Sequence, residues 1–282
     1  MRCFFVTDLH GKIDRYEKLC SKIKEELPDI LFIGGDILPN FNSYLETEYD
    51  DFIEDYIIPK FKTLKLELKN RYPKVFIILG NDDPKIKESK IIKGQEYNMW
   101  EYIHNRKIIY NNYVFYGYAN IPPTPFLLKD WERYDVSRYI DPGCIYPTEG
   151  IRSIEENEDV EYATIYNDLH LLAGQDNQEK AIFLFHSPPY KSNLDRADLD
   201  DVVIDHVSPD VHVGSIAIQR FIKEKQPLLT LHGHIHESSR ITGHWEDLLD
   251  RTFMFSAAYE FPELAIIIFD LKHLEAATRI II

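Results

Sequence analysis

Eight short apolar runs constrain the fold of this chain more than any other feature of its sequence. They lie near Cys3 to Thr7, Ile30 to Gly34, Val75 to Leu79, Tyr113 to Tyr118, Ala181 to Phe185, Leu228 to Leu231, Thr252 to Ser256 and Leu264 to Asp270. Each has the length of a β-strand, and amphipathic helical segments alternate with them through much of the chain, which is the pattern of an α/β domain. Three helices are expected. The first runs from about Ile13 to Leu27, with Tyr16, Leu19, Ile23 and Leu27 at helical spacing. The second, about Tyr49 to Arg71, repeats Phe52, Tyr56, Ile57, Phe61, Leu64 and Leu66 among charges, and the third covers about Ser215 to Glu224. The last two should each pack one face on a sheet.

Residues from about Asn120 to Asn157 are rich in Pro, Tyr and Asp and lack a steady period. Structureless stretches of this length are uncommon in compact domains unless functional or disordered, so a loop or cap that shapes a site is expected at about 120–157. The charged run Glu155-Glu156-Asn157-Glu158-Asp159 that follows reads as the start of a solvated helix. No internal repeat or low-complexity linker divides the chain, and one domain over 1–282 is the expectation.

Five polar motifs stand at or just past the C-terminal ends of apolar strands. In chain order they are Asp8-Leu9-His10, Gly35-Asp36, Gly80-Asn81-Asp82-Asp83, His186 and His232-Gly233-His234-Ile235-His236. Open α/β sheets bind ligands in the crevice outside the carboxyl ends of their strands, where side chains distant in sequence converge. A lone Gly-Asp or a lone His at such a point is ordinarily a turn or a structural hydrogen bond. The conjunction is what carries weight: seven nitrogen and oxygen donors at corresponding strand ends, with no Cys among them.

Imidazole and carboxylate together suit Mn²⁺, Fe²⁺, Zn²⁺ or Co²⁺ rather than copper or iron–sulfur chemistry. The histidines are too many for a purely Mg²⁺ or Ca²⁺ site. Seven donors exceed the four that one structural zinc takes, which argues for two divalent cations sharing a carboxylate. Mn²⁺ is the first choice, with Fe, Zn, Co or Ni as alternatives.

Asp8-x-His10, Gly35-Asp36, Gly80-Asn81, His186 and Gly233-His234-x-His236 resemble the ligand signature of the calcineurin-like metallophosphoesterases. His186-Ser187-Pro188-Pro189-Tyr190, His212-Val213-Gly214-Ser215 and the run from Gln226-Pro227 to Ser238 are similar to a prokaryotic branch often labelled Icc-like. The resemblance implies a four-layer α/β/β/α sandwich of two mixed β-sheets flanked by helices. It implies one metal on Asp8, His10, Asp36 and His236 and a second on Asp36, Asn81, His186 and His234, with Asp36 as the bridge. Two cations about 3.5–4 Å apart activate water and hold phosphate oxygens, so water activated by the metal pair is expected to attack phosphorus without a protein nucleophile. Asn81 is expected to serve both a metal and the substrate.

The chain departs from its relatives at Asp82, where the family usually has the His credited with orienting phosphate and protonating the leaving group, work worth about 10²–10⁴-fold. Beside two cations a carboxylate should be held ionised. Activity is then expected to favour leaving groups that need little protonation, such as aryl or nucleoside-phosphate groups; the other reading has Asp82 facing away and capping a turn. Phe255-Ser256-Ala257-Ala258 replaces a usual Asn-Pro-Gly-Ser turn. Tyr190, His212, His206 and Arg196 lie between two motifs and are candidates to line the substrate pocket, Tyr190 and His212 foremost. His104, His170, His244 and His273 read as surface or packing residues.

The formal net charge of −15 argues against a nucleic-acid partner, because duplexes are gripped by clustered Lys and Arg and no such cluster is present. A small phosphorylated substrate remains compatible, since bound cations invert the local potential. No long apolar run or signal-peptide pattern appears, and the three cysteines are widely spaced, so neither membrane nor disulfide framework is expected and the cytoplasm is the simplest address. The expected activity is a phosphodiesterase or a hydrolase of nucleotide-like phosphates. The alternatives are a phosphomonoesterase or pyrophosphatase with the same site, or a metal-binding scaffold of weak activity. Nothing in the sequence fixes the oligomeric state.

Overall fold

The computed structural model describes residues 1–40, 49–155, 160–204 and 206–282. Its strands are β1 (Arg2–Val6), β2 (Ile30–Gly34), β3 (Lys74–Ile78), β4 (Glu101–Tyr102), β5 (Arg106–Tyr110), β6 (Tyr113–Tyr118), β7 (Ala181–Phe185), β8 (Leu229–His232), β9 (Glu246–Leu249), β10 (Thr252–Ser256), β11 (Ala265–Asp270) and β12 (His273–Ile281). Its α-helices are α1 (Ile13–Glu26), α2 (Ile58–Leu68), α3 (Glu88–Lys93), α4 (Ile165–Ala173), α5 (Ile216–Lys225) and α6 (Ser238–Thr242). The strands form two six-stranded sheets, ordered β12-β11-β1-β2-β3-β4 and β5-β6-β7-β8-β10-β9. Both are mixed. β1, β2, β3 and β4 run parallel while β11 pairs antiparallel with both β1 and β12, and in the second sheet β6, β7, β8 and β10 are parallel between antiparallel edges β5 and β9.

The pleat of β7 shows how the layers stack. Ile182 and Leu184 join the core between the sheets, where Phe76 and Phe115 stack at 4.5 Å, while Ala181, Phe183 and Phe185 pack with Leu169 of α4 and Phe221 of α5. Successive side chains of a strand point to opposite faces, so a strand apolar at every position must be covered on both. On the other side, Tyr16, Leu19 and Ile23 of α1 and Phe61 and Leu64 of α2 belong to the same continuous core as the first sheet. The result is the expected sandwich of two mixed sheets between helices.

Two expectations need correction. The segment expected as one helix from Tyr49 to Arg71 is a π-helical turn over Phe52–Ile57, then α2, then a 3₁₀ turn over Lys69–Arg71. Asp51 caps its start by accepting from the N–H groups of Ile53 and Glu54, and Pro59 near the start of α2 supplies no N–H. Proline fits a helix's first turn better than its interior, which agrees with the change from π- to α-helical bonding there, while the backbone stays helical through Ile57 and Ile58. Leu66, expected on the packed face, is 69% exposed. Of the run expected to begin a solvated helix, Glu156 to Asp159 lie outside the described residues.

Residues 120–155 contain no long element and are tied by isolated bridges such as Ile121 with Glu132 and Leu128 with Ile151. At their centre Lys129 and Glu132 form an ion pair at 2.6 Å with both side chains at 0% exposure. The pair is not left to charge alone: Lys129 Nζ donates to Thr124 O at 2.8 Å and the Thr124 N–H donates to Glu132 Oε2 at 2.9 Å. No helix among the described residues is long and apolar enough to cross a membrane.

Candidate dinuclear metal centre

The loops after β1, β2 and β3 in one sheet and after β7 and β8 in the other meet at one end of the sandwich. Main-chain hydrogen bonds hold them side by side: Asp8 N–H to Gly35 O at 2.9 Å, His10 N–H to Asp36 O at 2.8 Å, and Gly233 N–H to His186 O at 2.8 Å. The fit is close enough that a Cβ on Gly80 would run into the Asp36 carboxylate, and one on Gly233 would reach Thr7 and the Asp8 carboxylate. Asp8, His10, Asp36 and His234 adopt left-handed backbone, with φ of 54°, 47°, 49° and 73°. That region disfavours residues other than glycine, and here it turns the four side chains toward a common point.

Two triads result. In one, His10 Nε2 and His236 Nε2 lie 3.2 Å apart, and Asp8 Oδ1 is 3.3 Å from His236 Nε2. In the other, His186 Nε2 is 3.2 Å from Asp36 Oδ2, and His234 completes the group with its ring centroid 5.3 Å from that of His186. Asn81 Oδ1 adds a further donor 3.0 Å from His186 Nε2. Asp36 also forms a group with His10 and Asp82, all within 4.8 Å, so its carboxylate lies between the two triads. His186 is oriented from behind by Nδ1 against Gly34 O at 2.8 Å, the kind of outer contact that fixes a ligating imidazole.

The donor set fits divalent cations. Donors about 2.0–2.2 Å from one ion sit roughly 3 Å from each other, the spacing seen here. Two imidazole nitrogens facing each other at 3.2 Å need a proton or a cation between them, and His10 Nδ1 is buried without a hydrogen-bond partner. The charges agree. Burial works to raise the Asp8 and Asp36 carboxyls, yet His236 for the first and His186 for the second hold both below the usual carboxylate range. Burial opposes protonation of His186, but Asp36 raises it to about 10, while burial and then the charge of His186 drive His234 down to about 3.

Asp82 faces the site rather than away from it. Its N–H donates to Asp36 Oδ1 at 2.8 Å, its carboxylate accepts from Asn81 Nδ2 at 3.1 Å, and Oδ2 lies 3.7 Å from His10 Nδ1. The protein's own groups push its carboxyl up to about 7, burial first and the Asp36 charge second, opposite in direction to what neighbouring cations would do. Asp83, which sequence reasoning left without a role, is fully buried and accepts from the N–H groups of Ile37 at 3.1 Å, Leu38 at 2.7 Å and Gly80 at 2.9 Å. It staples the loop after β2 to the loop after β3 and thereby positions Asp36 against Asn81.

A cavity of about 480 Å³ opens above the ligand cluster, with Asp36, Asn81, Asp82, His234 and His236 among its lining. Tyr190 and His212 line it too; Tyr190 donates to Asp210 Oδ2 at 2.6 Å, and His212 Nδ1 lies 2.8 Å from Asp195 Oδ1. Arg196 and His206 are not among its lining residues, and Arg196 is instead paired with both oxygens of Asp200 at 2.6 and 2.7 Å. His232, inside the last motif, is no ligand: its ring nitrogens meet Ser187 O at 2.9 Å and Thr230 Oγ1 at 2.7 Å. His104 is a packing residue, its ring edge-on to Trp131 at 5.0 Å. Ser256 continues β10, and Ala257 N–H donates to His232 O at 3.3 Å, so the chain needs no special turn after that strand.

No curated protein matches the sequence closely enough to count as a relative. Solved structures match the fold. One is 18% identical, covering 99% of this chain and 98% of its own with a TM-score of 0.61. TT1561 of Thermus thermophilus is 15% identical with the same two coverages and a TM-score of 0.59. A dimetal phosphatase from Danio rerio is 12% identical over 95% of each chain, at a TM-score of 0.50. At such identities the likeness speaks for the fold alone. The family model of the calcineurin-like phosphoesterases, by contrast, matches residues 1–238, a span that includes the loops after β1, β2, β3, β7 and β8 that carry the donors, and the chain belongs to that family.

Proposed function

We propose that the chain is a dinuclear-metal-dependent phosphoesterase acting on small phosphodiesters or nucleotide-like phosphates. The observation that carries the reading is the place of Asp36 between two triads of nitrogen and oxygen donors at the floor of a cavity. In this reading Asp8, His10, Asp36 and His236 hold one divalent cation, and Asp36, Asn81, His186 and His234 hold the other, with Mn²⁺ the first candidate. Once bound, the cations supply positive charge for the phosphate oxygens and lower the pKa of water.

The chain's own groups do the rest. Gly34 O and Asp83 fix the loops that aim the donors, and in this reading Asn81 serves a cation through Oδ1, which lies 3.0 Å from His186 Nε2, and also the substrate. Asp82 offers no imidazole where relatives have one, so ester groups that leave without a proton are favoured. Elemental analysis of the purified protein, with hydrolysis of an aryl phosphodiester, the aryl monoester and a nucleoside diphosphate under added Mn²⁺, tests the reading. Fewer than two equivalents of metal, or turnover of the monoester alone, would count against it. For Asp82→His we expect turnover of alkyl diesters to rise at least about tenfold more than that of aryl diesters, a fraction of what a general acid contributes. Equal gains on both would refute the role given to position 82.

A further inference from the structure

The walls of the cavity, rather than its floor, define which esters fit. They come from residues 122–144 and 190–216, and about 480 Å³ is far more room than a phosphate group needs. A volume of this order takes a drug-sized organic group. Much of the wall is apolar: Pro122, Pro125, Phe126, Ile140, Leu199 and Ile204 all contribute. Among the described residues that line it there is no Lys and no Arg.

The charged side chains of the walls are all acidic. Asp141 and Asp210 stand on opposite wall segments and are close enough that the charge of Asp210, after burial, raises the Asp141 carboxyl. Glu237 follows the last metal-ligand candidate in sequence and lines the same space. Asp135 lines it as well, and it already occupies the start of α5, accepting from the Ser215 hydroxyl at 2.5 Å and from the N–H of Ile216 at 2.7 Å. A helix start is an anion cradle only while its N–H groups are free. This one is taken, so the walls offer a second phosphate neither a cationic side chain nor that helix start.

The geometry points to a substrate class: phosphodiesters that carry a single negative charge and an apolar or aromatic organic group, to the exclusion of esters bearing a second phosphate. This deepens the phosphoesterase reading above and rests on it. The floor receives one phosphate on the cation sites, the apolar walls receive the organic group, and a further phosphate would face Asp141, Asp210 and Glu237 with no Lys or Arg among the described lining residues to meet it; the charge of Lys191, behind Tyr190, already acts on Asp210. Recognition of polyphosphates elsewhere depends on Arg, Lys or oriented backbone N–H groups; the described lining has no Arg or Lys, and the N–H groups at the start of α5 are already taken by Asp135.

Two matched pairs of substrates test the inference, each with one leaving group. p-Nitrophenyl phenyl phosphate and p-nitrophenyl methyl phosphate differ only in the apolar group. The p-nitrophenyl ester of thymidine 5′-phosphate and its 3′-phosphorylated form differ only in the added phosphate. With the Mn²⁺-loaded full chain at low ionic strength, kcat/KM should favour phenyl over methyl, and the monoanionic thymidine ester over the 3′-phosphorylated one, each by at least tenfold. In Asp141→Asn/Asp210→Asn the second ratio should fall at least threefold while the first is unchanged. Calorimetric titration with diphenyl phosphate and dimethyl phosphate reads the walls without turnover, and tighter binding of diphenyl phosphate is expected. Equal rates for the two thymidine esters, or equal binding of the two diesters, would overturn the inference and leave the phosphoesterase reading standing. Absence of turnover on every diester would bring down that reading and this inference together.

Discussion

Asp36 is shared by two donor groups, so its removal should not act like the loss of any other ligand. In Asp36→Asn the charge that faces both His186 and His10 is gone, and on the proposed ligand assignment both cations would lose a partner at once. We expect elemental analysis to find metal content falling from two equivalents to below one, with kcat/KM down by more than about 100-fold, since even outer contacts to metal ligands cost 10–100-fold. Loss of a single equivalent would show that the carboxylate serves one cation only. Asp83 is a different kind of residue. Asp83→Ala strands three buried N–H groups, each worth about 1–3 kcal/mol, so unfolding free energy in denaturant should drop by about 3 kcal/mol or more. The donors could be read in the sequence because their residue types recur at strand ends. Asp83 could not, because a carboxylate that accepts from backbone looks in sequence like one that binds metal.

Among the elements, the strands that carry ligands were legible and the edges were not. β1, β2, β3 and β7 are apolar at nearly every position, which is the mark of burial on both faces, and β8, Leu-Thr-Leu-His, is buried throughout. β4 has two residues, too few for any period, and β12 reads His-Leu-Glu-Ala-Ala-Thr-Arg-Ile-Ile, in which the helix-formers Leu, Glu and Ala together mask the β-branched end that pairs with β11. The insertion shows the same limit: nothing in its composition announced that Lys129 and Glu132 would be buried together. Removing one partner of such a pair leaves an uncompensated charge, so Lys129→Met should destabilise the protein by about 3–5 kcal/mol. Lys129→Met/Glu132→Gln should recover most of that in equilibrium unfolding; a double variant as unstable as the single one would mean the packing of Lys129, not its charge, matters.

At the scale of the whole molecule, the chain crosses from one sheet to the other between β4 and β5, and His104 stands at that crossing. Its Nδ1 accepts the Ala119 N–H at 2.9 Å, and burial, with the charge of Lys85 behind it, lowers its pKa to about 3. A depressed folded-state pKa means the neutral form is what the fold holds. That contribution is complete above the unfolded value of about 6.5 and is lost as pH falls from there toward 3, so the share of stability owed to His104 should decline by about 1–2 kcal/mol between pH 7 and pH 5. Chemical unfolding at the two pH values, in wild type and His104→Gln, checks this: an equal decline in both would remove His104 as the cause. The left-handed turns at Asp8, His10, Asp36 and His234 carry a different implication. Each holds its residue against local preference at a cost of order 1 kcal/mol, so the two sheets act as a clamp on loops that would relax if released. Mild denaturation should therefore slacken the grip on cations while the strands are still paired, making metal retention the first property of the molecule to fail.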